Sequence, residues 1–323
     1  MQRHDVVIIG AGAAGLSAAL VLTRARRDVV VLDSGSPRNG PAAHMHGFLS
    51  RDGMPAAELL AAGRAEVRSY GGLIVDGLVT DINADGKGGF RVAQADGRPA
   101  FSTRHVVVTT GLRDELPDIP GLRERWARDV LHCPYCHGHE VRDRRLAVLA
   151  ATPDAARYAQ IVRQWTDDLT YVVAPGVLTP DERTALRARR IGIVEGPVEQ
   201  LVVDGEDHLR GLQLDDGCVV ACDALFVPPR FVANDTLLTG LGATVAHRGW
   251  VVVDGAGRTS VPRVWAAGNV VDPRAQVITA AGAGSATAIA LNADLVDDDI
   301  RTAVAAFPPH TSLTTERRTK ETA

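Results

Sequence analysis

The chain has 323 residues, 46 % hydrophobic and 23 % charged. That is an ordinary balance for a soluble globular protein, over more length than one compact core usually organises. A formal net charge of −4 and an aromatic content of 4 % argue against a nucleic-acid groove, an anionic membrane surface or a base-stacking platform as the partner.

Val6 to Ile9 is a continuous apolar run, as buried parallel strands show. Gly10-Ala11-Gly12-Ala13-Ala14-Gly15 follows, then helical spacing from Leu16 to Arg24 and a second strand, Val29 to Leu32, ended by Asp33 and Ser34. Strand, G-x-G-x-x-G, helix and terminal acid together form the dinucleotide-binding fingerprint. Gly10 allows the tight turn, Gly12 lets the backbone approach a pyrophosphate, and Gly15 lets helix and strand pack closely. The pyrophosphate then sits at the positive helix start, beside Ala13 and Ala14, and Asp33 stands where an acid binds ribose hydroxyls. The loop alone does not distinguish FAD from NAD.

A helix is expected over 55–70, then strands around 73–83, 90–95 and 104–109, the last closed by Thr110-Gly111. Pro117, Pro120 and Gly121 punctuate a connection. A second strand-helix-strand set follows at 146–149, 154–165 and 169–173, with another helix over 180–190. Val264 to Asn269 precedes a final helix expected over 276–296. The fold class expected is α/β with two dinucleotide-binding, Rossmann-like domains, the second inserted into the first. The division reads 1–113 and 247–306 for the first domain, 114–246 for the inserted one, and a polar, disordered tail over 307–323. The first apolar run is too short for a signal segment, and Ala280 to Ala290 is too short to span a bilayer, so a cytoplasmic protein with no membrane partner is expected.

His132-Cys133-Pro134-Tyr135-Cys136-His137-Gly138-His139-Glu140 is the chemical centre. Two intervening residues bring both sulfurs onto one helical turn, where they can form and break a disulfide. Pro134 suits the first helical position, and a helix start favours the thiolate of the first cysteine. Flanking histidines can move protons near neutral pH. Three other readings exist for such a pair. A glutaredoxin-like C-P-Y-C follows the first strand of a small fold, and this context differs. Structural zinc needs a second ligand pair at set spacing, and none appears, so no metal is expected. A purely structural pair is the third. Cys218 and Cys222 lie about 13 Å apart along a strand, too far for a disulfide, and are read as incidental.

Together the fingerprint, the Cys-x-x-Cys in the middle domain and the late Gly268 segment resemble the thioredoxin reductase family over most of the chain. Thr110-Gly111 is similar to that family's "ATG" strand end, and Gly268-Asn269 with Gln276-Val277 to its second FAD segment. The resemblance therefore implies FAD as the cofactor and a homodimer. It also implies that Cys136 lies nearer the flavin, while Cys133 is expected to be the more exposed sulfur.

Two departures sharpen the reading. His137 stands where thioredoxin reductases carry an Asp, and H-C-P-Y-C-H-G resembles the FAD-dependent dithiol oxidases of gliotoxin and holomycin type. That branch implies a small-molecule or peptide dithiol as substrate, oxygen as acceptor, and His132 as base with His137 second. The second departure is in the middle domain, where Ala150-Ala151-Thr152-Pro153-Asp154-Ala155 replaces the expected glycine loop. Side chains block close backbone approach, and Asp154 puts negative charge where a phosphate would sit. Alternatives are a thioredoxin reductase fed by NADPH or ferredoxin, and a flavin redox sensor without turnover. His44 and His46 either line the pocket or satisfy loop backbone.

Overall fold

The computed structural model describes residues 3–307. The first lobe opens with β1 (Arg3–Ile9), α1 (Ala13–Arg24), β2 (Val29–Asp33), α2 (Ala56–Ser69) and β3 (Leu73–Asp76). An antiparallel excursion, β4 (Val79–Ala84) and β5 (Phe90–Gln94), leads into β6 (Phe101–Val108). The chain then leaves through β7 (Leu112–Glu115).

The inserted lobe holds β8 (Val130–Leu131), the single-turn α3 (Pro134–His137), β9 (Leu146–Leu149), α4 (Ala155–Val162), β10 (Leu169–Val173), α5 (Pro180–Ala188) and β11 (Gly192–Glu195). A meander of β12 (Val198–Val203), β13 (Leu209–Leu214) and β14 (Val219–Ala221) precedes β15 (Ala224–Phe226). The chain returns through β16 (Arg230–Ala233) and α6 (Thr236–Gly240) to β17 (Val264–Ala266) and α7 (Val277–Ala306).

The first sheet runs β3-β2-β1-β6, and β6 is shared along one edge. Its first half pairs antiparallel with β5, and Val106–Val108 pair parallel with β17. The second sheet runs β11-β10-β9-β15-β8, all parallel. Returning to the first sheet only at β17 makes the fold two dinucleotide-binding domains, one inserted in the other.

Strand alternation explains why these runs are apolar throughout. Val7, Ile9, Val30, Leu32, Val106 and Val108 pack on one face of the first sheet. Val6, Ile8, Val29, Val31 and Val107 pack on the other, against α1 and α7. The second sheet is covered likewise, Leu146, Val148 and Tyr171 facing α4 and α5, and Ala147, Leu149 and Val172 facing the meander. A parallel sheet buried on both faces cannot show polar alternation.

Some boundaries moved. The stretch 73–83 divides at Gly77-Leu78 into two strands, and α7 runs ten residues beyond 296. There, Asp298 pairs with Arg301 one turn later, and no proline intervenes before Pro308. Phe307 caps α7; the remainder of the tail, 308–323, lies outside the described residues. No helix among the described residues is long and apolar enough to cross a membrane.

Candidate active site

The crevice at the carboxyl ends of β1, β2, β6 and β17 is where doubly wound sheets bind ligands. Gly10 has φ +103°, and a Cβ there would lie 2.6 Å from the Thr109 carbonyl oxygen. At Gly15 a Cβ would lie 1.9 Å from the Gly10 oxygen, so α1 rests directly on the turn. Gly12 differs: its φ of −76° suits any residue, and a Cβ would meet nothing within 4 Å. Its missing side chain thus leaves space at the helix start. No side chain caps α1 and no acid stands in its first turn, so Ala13, Ala14 and Gly15 present an uncompensated positive helix end.

Asp33 accepts from the Ala11 N–H at 3.0 Å and pairs with Arg64, a residue of α2 that the sequence pattern did not flag. Ser34 is exposed beside it. Thr110 is held to the returning chain: its hydroxyl donates to the Asn234 carbonyl (2.6 Å), and Asn234 Nδ2 donates back to the Thr110 carbonyl (3.0 Å). Gly111 follows at φ +69°.

Gly268 opens a 3-10 turn at φ +77°. The amide of Asn269 donates to the carbonyls of Asp272 (2.9 Å) and Ala275 (3.0 Å). A carboxylate at 269 could make neither bond. The departure from Gly-Asp therefore has a local cause: the amide folds the loop that delivers Gln276 to the start of α7.

Cys133 and Cys136 are joined as a disulfide, with Cα atoms 5.2 Å apart. Cys133 caps α3 and Pro134 takes its first position. Gln276, at the N-cap of α7, spans the pair: Oε1 lies 3.2 Å from the Cys136 sulfur and Nε2 3.6 Å from that of Cys133. The inserted lobe's cysteines thus meet the first lobe's last cofactor-type segment at the positive end of a long helix, which favours thiolate after reduction. Val277 begins that helix, half-buried. The exposure expected of Cys133 is corrected here. It is only 5 % exposed and Cys136 is the more open residue, because the Cys133 carbonyl accepts the N–H groups of Cys136 and His137, folding the turn over it. Cys218 and Cys222 are both free, and burial pushes the Cys222 thiol up to about 12.

His132 Nε2 lies 3.3 Å from Arg38 Nη2, and its ring stacks on Trp126 (5.7 Å). Burial first, then the Arg38 cation, pull it down to about 4, with Asp114 opposing. Its Nε2 lone pair faces a guanidinium, so the ring is neutral with its proton assigned to Nδ1. His137 is also lowered by burial, with Glu140 opposing. Its buried Nδ1 has no hydrogen-bond partner among the described residues. His46 Nδ1 lies 3.2 Å from Asp52 and its Nε2 3.6 Å from Glu140, so the histidine loop borders the segment after the cysteines. His44 is exposed. Arg38, and Gln276 as a sulfur neighbour, escaped the sequence reading because their partners are far away in the chain. Among the described residues no group of three or more His, Cys, Asp or Glu side chains is placed to hold a metal ion.

In the inserted lobe the turn after β9 ties the Ala150 N–H to the Val172 carbonyl of β10, Ala151 to Leu149 and Ala155 to Thr152. Asp154 stands exposed at the N-cap of α4. Two side chains of this helix region address the cysteine segment instead. The buried Tyr158 hydroxyl donates to the His132 carbonyl, and Trp165 packs edge-on to Tyr135 at 5.7 Å.

Known proteins agree with this geometry. HlmI, a solved structure, is 55 % identical with a TM-score of 0.91, over 94 % of this chain and 96 % of its own. An oxidoreductase from Agrobacterium tumefaciens is 33 % identical with a TM-score of 0.84, over 92 % and 99 %. Thioredoxin reductase sirT of Leptosphaeria maculans is 28 % identical over 92 % of this chain and 95 % of its own. The model of the pyridine nucleotide-disulphide oxidoreductase family matches residues 4–285, a span that takes in both lobes, the glycine loop and the cysteine pair. The chain therefore belongs to the pyridine nucleotide-disulphide oxidoreductase family, whose members are disulfide oxidoreductase enzymes.

Proposed function

We propose that the protein is an FAD-dependent dithiol oxidase that closes a disulfide in a small-molecule or peptide dithiol, with oxygen as final acceptor. One observation carries the reading. The Cys133–Cys136 pair sits beside Gln276, next to a glycine-lined dinucleotide crevice, while the second loop holds no glycine and sets Asp154 at the start of its helix. With Cys133 only 5 % exposed, a small thiol reaches the pair more readily than a folded protein does.

The first crevice fits FAD: the open space at Gly12, the uncapped start of α1 and the carboxylate of Asp33 match a pyrophosphate and a ribose. Gly10, Gly12, Ala13, Ala14, Gly15, Asp33 and Ser34 would hold the adenosine side. Thr110, Gly111, Gly268, Asn269, Gln276 and Val277 would border the rest. When bound, FAD supplies the two-electron acceptor that returns the cysteine pair to its disulfide, and oxygen takes those electrons on to hydrogen peroxide.

The protein's own groups do the thiol chemistry. A free thiol has a pKa of about 8.5, so only a few per cent is ionised at pH 7. His137, beside Cys136 and not turned to a cation, takes the first substrate proton; His132, turned to Arg38, does not. The family resemblance keeps Cys136 for the flavin, so the substrate thiolate is assigned to Cys133, breaking the Cys133–Cys136 bond and releasing Cys136 as thiolate. The second substrate thiolate then attacks its own mixed-disulfide sulfur and displaces Cys133. The product leaves as a disulfide and the enzyme holds two more electrons.

The test is anaerobic mixing while the flavin band is followed. A dithiol bleaches the wild type, and Cys136→Ser keeps its yellow colour but is not bleached; unchanged bleaching of that variant overturns the assignment. NADPH and NADH leave the band essentially untouched. Rapid bleaching at micromolar NADPH selects an NADPH-fed reductase instead.

A further inference from the structure

The inserted lobe hangs on two chain crossings. These pair as a ribbon, β7 with β16, from Leu112↔Ala233 to Glu115↔Arg230. An isolated two-stranded ribbon bends easily, so side chains that span the lobes decide how they sit.

One guanidinium spans nearly all the parts. Arg38, on the loop after β2, has a side chain only 21 % exposed. Its Nε and Nη2 donate to the two oxygens of Asp114 at 2.9 and 2.7 Å, a bidentate pair. Nη2 also donates to His132 Nε2 (3.3 Å), and Nη1 to Asn269 Oδ1 (3.4 Å). Its Cζ lies 5.0 Å from the Phe231 ring centre. Asp114 belongs to β7 and Phe231 to β16, while His132 precedes Cys133 and Asn269 folds the loop before Gln276. Both ribbon strands and both segments that enclose the disulfide therefore converge on this side chain. His132 is further wedged between Trp126 and the edge of Phe231 (6.0 Å).

We infer that Arg38 is a positioning residue that pins the cysteine segment, through His132 and the β7–β16 ribbon, against the first lobe, so that the disulfide stays beside Gln276. The inference deepens the proposed function, since it rests on that disulfide being the reacting group. A planar fork of five N–H donors fits four partners in different directions; an ammonium at the same place does not.

The experiment reads geometry, not turnover. In the FAD-loaded protein with Cys218→Ser, spin labels go on Glu66→Cys, exposed on α2, and Arg187→Cys, exposed on α5. Cys222 is buried and the redox pair is closed, so neither takes label. The parent gives one interlobe distance. Arg38→Met gives a second distance, populated at about 10 % or more, and Arg38→Lys a smaller share of it. Should Arg38→Met fold poorly, Asp114→Asn, which weakens the bidentate pair, is read the same way. A single unaltered distance in Arg38→Lys and in whichever of the other two folds overturns the inference. Failure of dithiols to bleach the flavin would sink the proposed function and leave these distances as they are, so the two outcomes separate.

Discussion

In the first lobe the chain turns from Ile9 into α1 through residues 10–12; in the inserted lobe it turns from Leu149 into α4 through residues 150–154. The flanking strands obey one plan, parallel and covered on both faces. The two turns do not. The first leaves space at Gly12 and carries no acid at the start of α1. The second holds no glycine and places Asp154 at the cap. Packing of apolar strands, not the cradle, therefore maintains the topology. On the proposed reading α4 meets no nucleotide, and Tyr158 and Trp165 give the α4 region another partner, the cysteine segment.

The sharpest break of that contrast is to give the first turn the second one's chemistry. Gly12→Glu introduces a Cβ that meets nothing in the protein and a carboxylate at a helix start, where the dipole welcomes it. Folding of the apoprotein should be unharmed. The same carboxylate fills and charges the space proposed for the pyrophosphate, so the variant should purify colourless, with flavin content lowered by about tenfold or more. Absorbance per polypeptide and a melting curve check both halves. Full flavin content in a well-folded Gly12→Glu would mean that the open space is not the pyrophosphate site.

The first turn was legible because each requirement falls on a neighbouring residue: glycines at 10, 12 and 15, an acid at 33, an apolar strand on either side. The cysteine pair was legible for the same reason. What surrounds the pair was not. Arg38 meets Asp114, His132, Phe231 and Asn269 across long stretches of chain, and Gln276 reaches the sulfurs from the start of α7. Local spacing carries no record of such partners. The proposed order of the two histidines turns on the same kind of contact: His132 matches the motif better, yet its imidazole faces the Arg38 guanidinium, which the motif does not contain.

Acid titration sharpens the comparison lobe by lobe, because each lobe holds a histidine that burial pulls down to about 4. His105 on β6 is lowered to about 4, chiefly by burial with Asp298 opposing, and accepts from Trp265 Nε1 at 3.2 Å. His132 in the inserted lobe is lowered to about 4 as well. Each folded value lies below the ordinary 6.5, so the unfolded chain binds more protons between the two. Stability is whole above about pH 6.5 and is lost as pH falls toward 4, on the order of 3 kcal/mol per histidine. Denaturant midpoints at pH 7 and pH 4.5 measure the loss. His105→Gln and His132→Gln should each remove roughly half of it; an undiminished loss in both would mean that neither imidazole resists its proton.

The smallest expected effect tests whether α4 has become a scaffold. Tyr158 is buried, burial pushes its hydroxyl pKa up, and that hydroxyl donates to the carbonyl of His132, the residue before the redox pair. Tyr158→Phe keeps the ring and its packing but leaves that carbonyl without its partner, a cost of about 1–2 kcal/mol. Chemical denaturation should show a midpoint lowered by that amount with an unchanged slope, and amide exchange should quicken at Cys133 and Cys136 more than at α1. If the cost appears while exchange at the cysteine segment stays as slow as in the parent, the hydroxyl merely packs the lobe. In that case α4 is no scaffold for the disulfide.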